Sequence, residues 1–300
     1  MKYISVIGAG TMGNGIAHVF AQYGFEVNLV DVHDEILQKA LQTIRKNAER
    51  QVKKQILTEQ QVTELMARIH VSTQLPEALQ QADLVVEAAT EKQSLKEDIF
   101  RQMDQHAPAA AILASNTSSI SITRLAAVTK RPHQVIGMHF MNPVPVMPLV
   151  EVINGFHTDA SVTKTIVQLS RQLGKTPCVV NDYPGFISNR ILMPMLNEAI
   201  YTLQQGVAGV EEIDTIMKLG MGHPMGPLQL ADFIGLDVCL SILQVLHEGL
   251  GDPRYAPCPL LVKMVQAGCL GVKTGEGFYR YAAEGKEKTV NPVFQIRQTF

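Results

Sequence analysis

Among the nine histidines of the chain, His139 has a setting suited to proton transfer. It lies in Gly137-Met138-His139-Phe140-Met141-Asn142-Pro143-Val144-Pro145-Val146-Met147-Pro148-Leu149-Val150-Glu151, where two apolar runs flank a proline-rich connection. Proline has no amide hydrogen and a fixed φ, so this connection continues neither a helix nor an interior strand. His139 and Glu151 stand equally far from Pro145. If the flanking strands fold back about that centre, imidazole and carboxylate meet across the pair. A carboxylate on one ring nitrogen fixes the tautomer and stabilises the imidazolium, and the other nitrogen then exchanges a substrate proton. Histidine suits that work because its unperturbed pKa of about 6.5 lies near neutrality. A structural histidine beside an unrelated surface glutamate is the alternative. What favours the pair is the place of His139 at a strand end, where ligands of open α/β sheets collect.

A second constellation opens the chain. An apolar strand over residues 2–7 runs into Gly8-Ala9-Gly10-Thr11-Met12-Gly13, which fits the pattern G-x-G-x-x-G. Gly8 permits a tight turn, Gly10 lets the backbone approach a pyrophosphate, and Gly13 lets the following helix pack against its strand. A helix beginning near Thr11 would point its unpaired amides and positive dipole end at the phosphates. Three glycines alone are a weak signal. Here a strand precedes them, an amphipathic helix follows, and residues 26–30 form a second strand ending in Asp31. A carboxylate there can accept both ribose hydroxyls of an adenosine and repels a 2′-phosphate, which points to NAD over NADP.

The elements that must position these residues alternate along the first half. Strands are predicted at 3–7, 27–30, 69–71, 84–87, 111–114 and 135–139, separated by helices at 12–22, 34–57, 58–68, 76–81 and 94–105. Two further strands, 149–153 and 177–180, flank a helix at 160–173. Such alternation predicts parallel strands joined by crossover helices, a Rossmann-type doubly wound sheet. The character changes at Asp182-Tyr183-Pro184-Gly185. Beyond it the apolar spacing is helical, at 188–205, 210–219, 227–246 and 260–267. The expected organisation is a dinucleotide domain over 1–183, with a helical arm at about 34–68, and an all-helical domain over 184–300. Residues 282–300 are mixed and polar and read as a loosely held tail.

Bulk properties exclude several function classes. The chain has 300 residues, 46% hydrophobic and 18% charged, as in soluble two-domain proteins. A formal net charge of −2 favours neither nucleic acid nor an anionic membrane surface. Its four cysteines, Cys178, Cys239, Cys258 and Cys269, show no CxxC spacing, which suits reduced thiols and argues against a metal site or a disulfide framework. No run approaches about eighteen apolar residues, so no membrane span is expected. The first strand starts near Lys2, which leaves no room for a leader in the chain as given, and a cytoplasmic location is expected.

At these residues the sequence resembles the L-3-hydroxyacyl-CoA dehydrogenase family, on the side of its short bacterial members acting on 3-hydroxybutyryl-CoA. The resemblance rests on Gly8 to Gly13, Ser115-Asn116-Thr117-Ser118-Ser119, His139-Phe140-Met141-Asn142-Pro143, Pro184-Gly185-Phe186-Ile187-Ser188-Asn189-Arg190, Pro224-Met225-Gly226-Pro227 and Gly275-Glu276-Gly277-Phe278-Tyr279, in an order and spacing that cover about residues 2 to 281. It implies that His139 is the general base for oxidation and the acid for reduction, with Glu151 as its partner. It implies that Ser118 and Asn189 hydrogen-bond around the reacting 3-oxygen and the catalytic histidine. Asn142 would support the cofactor and the site geometry, and Glu91, Lys96 and Asn116 match positions near the nicotinamide ribose. A homodimer formed through the helical domain is implied as well. Ser118 has a competing reading as a helix cap, since its turn precedes an apolar run at 120–126. Asn189 could face solvent, but it follows the Pro-Gly break at the domain boundary, a preferred place for ligands.

The predicted helix at 34–57 carries Lys39, Arg45, Lys46, Arg50, Lys53 and Lys54. A solvated helix face is one reading. The other is a partner for the phosphates of coenzyme A, which need lysine or arginine; in the family this region is a helical arm beside the CoA, and Lys54 stands at a matching position. Two rival functions share the dinucleotide unit: a dehydrogenase of free hydroxy acids, which needs no basic arm, and a non-catalytic NAD-binding protein, against which Ser118, His139, Glu151 and Asn189 together argue.

Overall fold

The computed structural model describes residues 1–282 and 287–295. The described residues fall into two compact units that meet in sequence between Tyr183 and Pro184. The first runs β1 (Tyr3–Ile7), α1 (Thr11–Gln22), β2 (Glu26–Val30), α2 (Asp34–Lys53), α3 (Glu59–Ala67), β3 (Ile69–Ser72), α4 (Leu75–Leu79), β4 (Leu84–Glu87), α5 (Gln93–His106), β5 (Ile112–Ser115), α6 (Ile122–Ala127), β6 (Val135–Phe140), β7 (Leu149–Asn154), α7 (Ala160–Gln172) and β8 (Thr176–Asn181).

These strands form one eight-stranded sheet in the order β3-β2-β1-β4-β5-β6-β7-β8. Every neighbouring pair is parallel except β6–β7, which is antiparallel. The central strands β4 and β5 are buried at every position, as expected for strands covered by helices on both faces. The chain leaves β1 towards β2 on one side and returns through β4 on the other, so the strand order reverses beside β1. That reversal opens a crevice at the carboxyl ends of the strands, where the glycine turn lies. The core behind it joins Ile4 and Val6 of β1 to Phe20 of α1, Ile44 of α2, and Met138 and Phe140 of β6.

The predicted helix at 34–57 ends at Lys53. Gln55 takes a positive φ of 59°, and α3 then starts afresh with a capping box. Thr58 accepts from the Gln61 amide, and the Gln61 side chain accepts from the Thr58 amide, so two amides at the helix start are satisfied reciprocally.

The second unit holds α8 (Ser188–Gln204), α9 (Val210–Met221), α10 (Pro227–Ile234), α11 (Leu236–Leu250), α12 (Pro259–Gln266), β9 (Tyr279–Tyr281), β10 (Lys288–Val290) and α13 (Pro292–Gln295). It is helical, as the spacing predicts, apart from a short antiparallel ribbon of β9 and β10. The single helix expected over 227–246 is two helices bent by 96°, because Gly235 between them adopts a φ of +104°, which no helix accommodates. Among the described residues no single helix is long and apolar enough to cross a membrane, and this bent pair buries Leu228, Ala231, Leu236 and Leu243 in the unit's own core.

Two buried carboxylates organise this unit. Asp214 accepts from the amides of Leu228 and Gln229 and so caps α10 from a neighbouring helix. Asp232 accepts from the amides of Phe278 and Tyr279 and fastens the ribbon to α10. The stretch after Tyr281 is therefore not a loose tail as far as Gln295: Val290 pairs with Tyr279, and Asn291 is buried and bonded to Phe278. Residues 283–286 and 296–300 of that expected tail lie outside the described residues.

Candidate active site

The glycine turn meets the physical demands read from its sequence. Gly8 has a φ of +96°, and a Cβ there would come within 2.7 Å of the Ala88 carbonyl oxygen. Its amide donates to Val30 O at 2.7 Å, which ties the turn to β2. A Cβ on Gly13 would lie 1.7 Å from Gly8 O, so helix and strand pack with no room to spare. Gly10 is the opposite case, since a Cβ there would meet nothing within 4 Å. The helix that follows has no side-chain cap at Gly10, which leaves its first amides for an anion. Open space at the middle glycine and an uncapped helix start together fit a pyrophosphate. Thr11 lies on the open side, while the Met12 side chain packs against the core, so only the Met12 backbone belongs to the turn.

Asp31 follows directly on β2, and its Oδ2 accepts from the Ala9 amide at 2.8 Å. The carboxylate thus braces the glycine turn. A groove of about 380 Å³ runs beside the turn, lined by Gly10, Thr11, Lys39, Thr43, Asn47 and Asn142. Asn142 is therefore brought to the dinucleotide turn from the far end of β6. Lys54 ends α2 as its C-cap, two helical turns beyond Asn47.

At the ends of β4 and β5 the structure assembles a buried ionic network. Glu87, fully buried, accepts at Oε1 from the Ala89 amide at 2.7 Å and from Lys96 Nζ at 2.6 Å, and at Oε2 from Ser115 Oγ at 2.6 Å. Lys96 also donates to Ala89 O at 3.1 Å and lies 3.3 Å from Glu91 Oε2. Buried charges cost several kcal/mol each unless paired and hydrogen-bonded, and here both conditions hold. Glu91 in turn gathers the Ser/Thr turn. Its Oε1 accepts from Thr117 Oγ1, from the amides of Ser118 at 3.0 Å and Ser119 at 3.1 Å, and from Ser119 Oγ at 2.9 Å. Burial alone would raise the Glu91 carboxyl; Lys96 and the hydrogen bonds from Thr117, Ser119 and Ser118 outweigh it and hold the group below the usual carboxylate range. Ser118 is not a helix cap: α6 starts only at Ile122, and the oxygen that accepts from its Arg124 amide is that of Ser121.

His139 and Glu151 are direct partners in the β6–β7 ladder, with Met138 facing Val152 and Phe140 facing Val150 on either side. Glu151 Oε2 lies 2.8 Å from His139 Nδ1, and both side chains are buried. The proline connection centred on Pro145 imposes this register. Asn116, one residue past β5, accepts from the Phe140 amide at 2.9 Å and so fixes the strand that carries His139. Because β6 is parallel to β5, His139 emerges at the same sheet edge as Ser115, Glu87 and the glycine turn.

The first unit thus brings together Gly8, Gly10, Thr11, Gly13, Asp31 and Asn142 along one groove, and Glu91, Lys96, Asn116, Ser118, His139 and Glu151 at the strand ends beside it. Asn189 belongs to the second unit, in the first turn of α8. Glu87, Ser115 and Thr117 join this network without a role assigned from the sequence, although Ser115 and Thr117 lie in the motif Ser115 to Ser119. The only local sign of Glu87 is a carboxylate closing the apolar run Leu84-Val85-Val86.

Two family descriptions match the chain: "3-hydroxyacyl-CoA dehydrogenase, NAD binding domain" over residues 3–183, and "3-hydroxyacyl-CoA dehydrogenase, C-terminal domain" over residues 185–281. The chain is 54% identical over 289 residues to a probable 3-hydroxybutyryl-CoA dehydrogenase of Bacillus subtilis, covering 96% of this chain and 99% of that protein. It is 42% identical over 287 residues to the human mitochondrial hydroxyacyl-coenzyme A dehydrogenase, covering 94% of this chain and 91% of the other. Among solved structures, (S)-3-hydroxybutyryl-CoA dehydrogenase from Ralstonia eutropha superposes with a TM-score of 0.91 at 50% identity, over 94% of this chain and 99% of that one.

Proposed function

The chain belongs to the 3-hydroxyacyl-CoA dehydrogenase family, and we propose on that premise that its substrates are short L-3-hydroxyacyl thioesters of coenzyme A, 3-hydroxybutyryl-CoA among them, with His139 exchanging the proton. It is an NAD-dependent oxidoreductase that interconverts L-3-hydroxyacyl-CoA and 3-ketoacyl-CoA. The observation that carries the mechanism is the 2.8 Å contact between His139 Nδ1 and Glu151 at the sheet edge that holds the glycine turn.

When bound, NAD supplies the hydride acceptor for oxidation and the hydride donor for the reverse. Gly10, Thr11 and Met12 would hold its pyrophosphate by backbone in a turn shaped by Gly8 and Gly13, Asp31 would take the adenosine ribose, and Glu91, Lys96, Asn116 and Asn142 would serve the nicotinamide half. During oxidation His139 Nε2 accepts the hydroxyl proton of the substrate, and Glu151 stabilises the imidazolium that results. In the reverse direction the same nitrogen returns the proton to the 3-oxygen. Ser118 hydrogen-bonds to that oxygen and steadies its developing charge. Asn189 enters the proposal by the match of its motif, Pro184 to Arg190, alone. Lys54 and its basic neighbours on α2 receive the phosphates of coenzyme A.

The homodimer belongs to the same proposal, supported by Ile216, Leu219, Met221 and Phe233, apolar side chains of α9 and α10 that are 58–81% exposed. A cytoplasmic location is proposed on the four cysteines, all free thiols. The test is NADH oxidation by the purified protein with acetoacetyl-CoA against acetoacetate. Turnover confined to the thioester is expected. Turnover of the free acid alone, or saturable NADH binding with no turnover of either, overturns the reading.

A further inference from the structure

Lys175 lies between α7 and β8, is 8% exposed, and forms no ion pair among the described residues. Its ammonium donates instead to two carbonyls of the connection between β6 and β7, Val144 O at 2.6 Å and Met147 O at 2.8 Å. The neighbouring Thr176 amide adds a third tie, to Pro148 O at 2.7 Å. Burial pushes the Lys175 pKa down, the cost of taking a cation out of water without a carboxylate beside it.

The connection needs such a clamp because of its sequence. Pro143, Pro145 and Pro148 supply no amide donors, so residues 141–148 cannot extend the ladder that holds the strands on either side. Its own backbone bonds are two, from the amides of Val146 and Met147 to Pro143 O. From the other side the Val144 side chain is seated on α1, where a Cβ on Gly15 would come within 2.9 Å of Val144 Cβ. The segment is thus gripped at Val144 twice, by its side chain on Gly15 and by its carbonyl on Lys175. It carries Asn142 into the groove beside Gly10, and it closes the turn that sets Glu151 opposite His139.

We propose that Lys175 is a positioning residue for the dehydrogenase reaction: its ammonium fixes the course of residues 141–148, and through them the placement of Asn142 at the dinucleotide turn and the alignment of His139 with Glu151. The inference rests on the functional reading above. Lys175 itself touches no reacting atom.

The test compares wild type with Lys175→Met and Lys175→Arg, reading NADH Kd by fluorescence, kcat and KM with acetoacetyl-CoA, and Tm. In Lys175→Met, kcat is expected to fall about ten- to hundredfold, the effect of displacing a reacting group by an ångström or less. NADH Kd rises several-fold, the acyl-CoA KM stays within about twofold, and Lys175→Arg recovers most of both losses. A Lys175→Met protein with a lower Tm but wild-type kcat and NADH Kd overturns the proposal, because a merely structural lysine behaves that way. Should Lys175→Met fail to fold, Lys175→Gln, which keeps a donor for one carbonyl, is judged by the same criteria. Absence of turnover in the wild type strikes the functional reading alone, and Lys175 is then judged on NADH affinity.

Discussion

Glu151 faces His139 directly across the β6–β7 ladder, so the carboxylate that orients the ring is itself held by a strand rather than a loop. His139→Ala removes the proton-exchanging group but no part of the glycine turn. Turnover is expected to fall by about 10²–10⁴-fold or more, with NADH Kd unchanged. Glu151→Gln keeps the shape and loses the charge that stabilises the imidazolium, so kcat drops. Stopped-flow turnover with NADH titration measures both; near-normal rates in either variant would sink the assignment.

The three glycines separate folding from ligand binding. Gly13→Ala drives a methyl to 1.7 Å from Gly8 O and must move strand or helix, so both Tm and NADH affinity should fall. Gly10→Ala meets no protein atom within 4 Å, so Tm should hold while NADH affinity drops at least tenfold. If Gly10→Ala binds NADH normally, the open space is not where the pyrophosphate sits.

Asp31 spends one oxygen on the Ala9 amide, and in the proposed function the rest of its carboxylate takes the adenosine ribose. Asp31→Ala removes that acceptor and the charge that repels a 2′-phosphate. A hydrogen bond to a charged group is worth about 1.5–3 kcal/mol, so NADH Kd should rise roughly tenfold or more. NADPH should lose less, and the ratio of the two affinities reports it. A ratio unchanged from wild type removes Asp31 from cofactor selection.

What was legible in the sequence was what local spacing controls. The strands follow from short apolar runs, the glycine turn from its pattern between strand and helix, and the His139–Glu151 register from the symmetry of both residues about Pro145. What was hidden depends on partners far along the chain. Glu87 meets Ser115 twenty-eight residues later, and no pattern near either marks the contact. Gly235 looks like one tolerated glycine in a helical run, yet it takes a φ of +104°, and the Leu236 amide that follows donates to Leu270 O, far along the chain. The ribbon leaves no pattern in the sequence because its strands are three residues each, and β9 is fastened by Asp232, more than forty residues earlier.

Lys39, Thr43 and Asn47 follow the helical spacing of α2 along one side of the groove, and Lys54 caps the end of that helix. Lys54→Ala should raise the acyl-CoA KM several-fold, since one exposed lysine–phosphate contact contributes about 1 kcal/mol. The effect should shrink with added salt, and NADH Kd should stay put. An unmoved KM leaves the basic face as a solvated surface.

Asp232 gives the second unit a pH-dependent stability of unusual sign. Burial pushes its carboxyl up to about 6, against the pull of hydrogen bonds from Tyr279, Phe278 and Tyr281, with Asp214 adding a further push. The folded carboxyl holds its proton above the unfolded value of 3.8. Its contribution is therefore fully present below that value and is lost as pH rises through about 6. The shift corresponds to roughly 3 kcal/mol across that window. His18, fully buried and lowered by burial, acts the other way, costing stability as pH falls below about 6.5, so raw stability profiles mix the two. Asp232→Asn isolates the first. The amide presents donors to the ribbon amides and should cost about 1–3 kcal/mol, but it cannot titrate. Urea unfolding of both proteins between pH 4 and 7.5 should show the variant furthest below wild type at the acid end, with the gap closing as Asp232 ionises. A gap of constant size means that the carboxyl ionises in the folded chain as it does in the unfolded one.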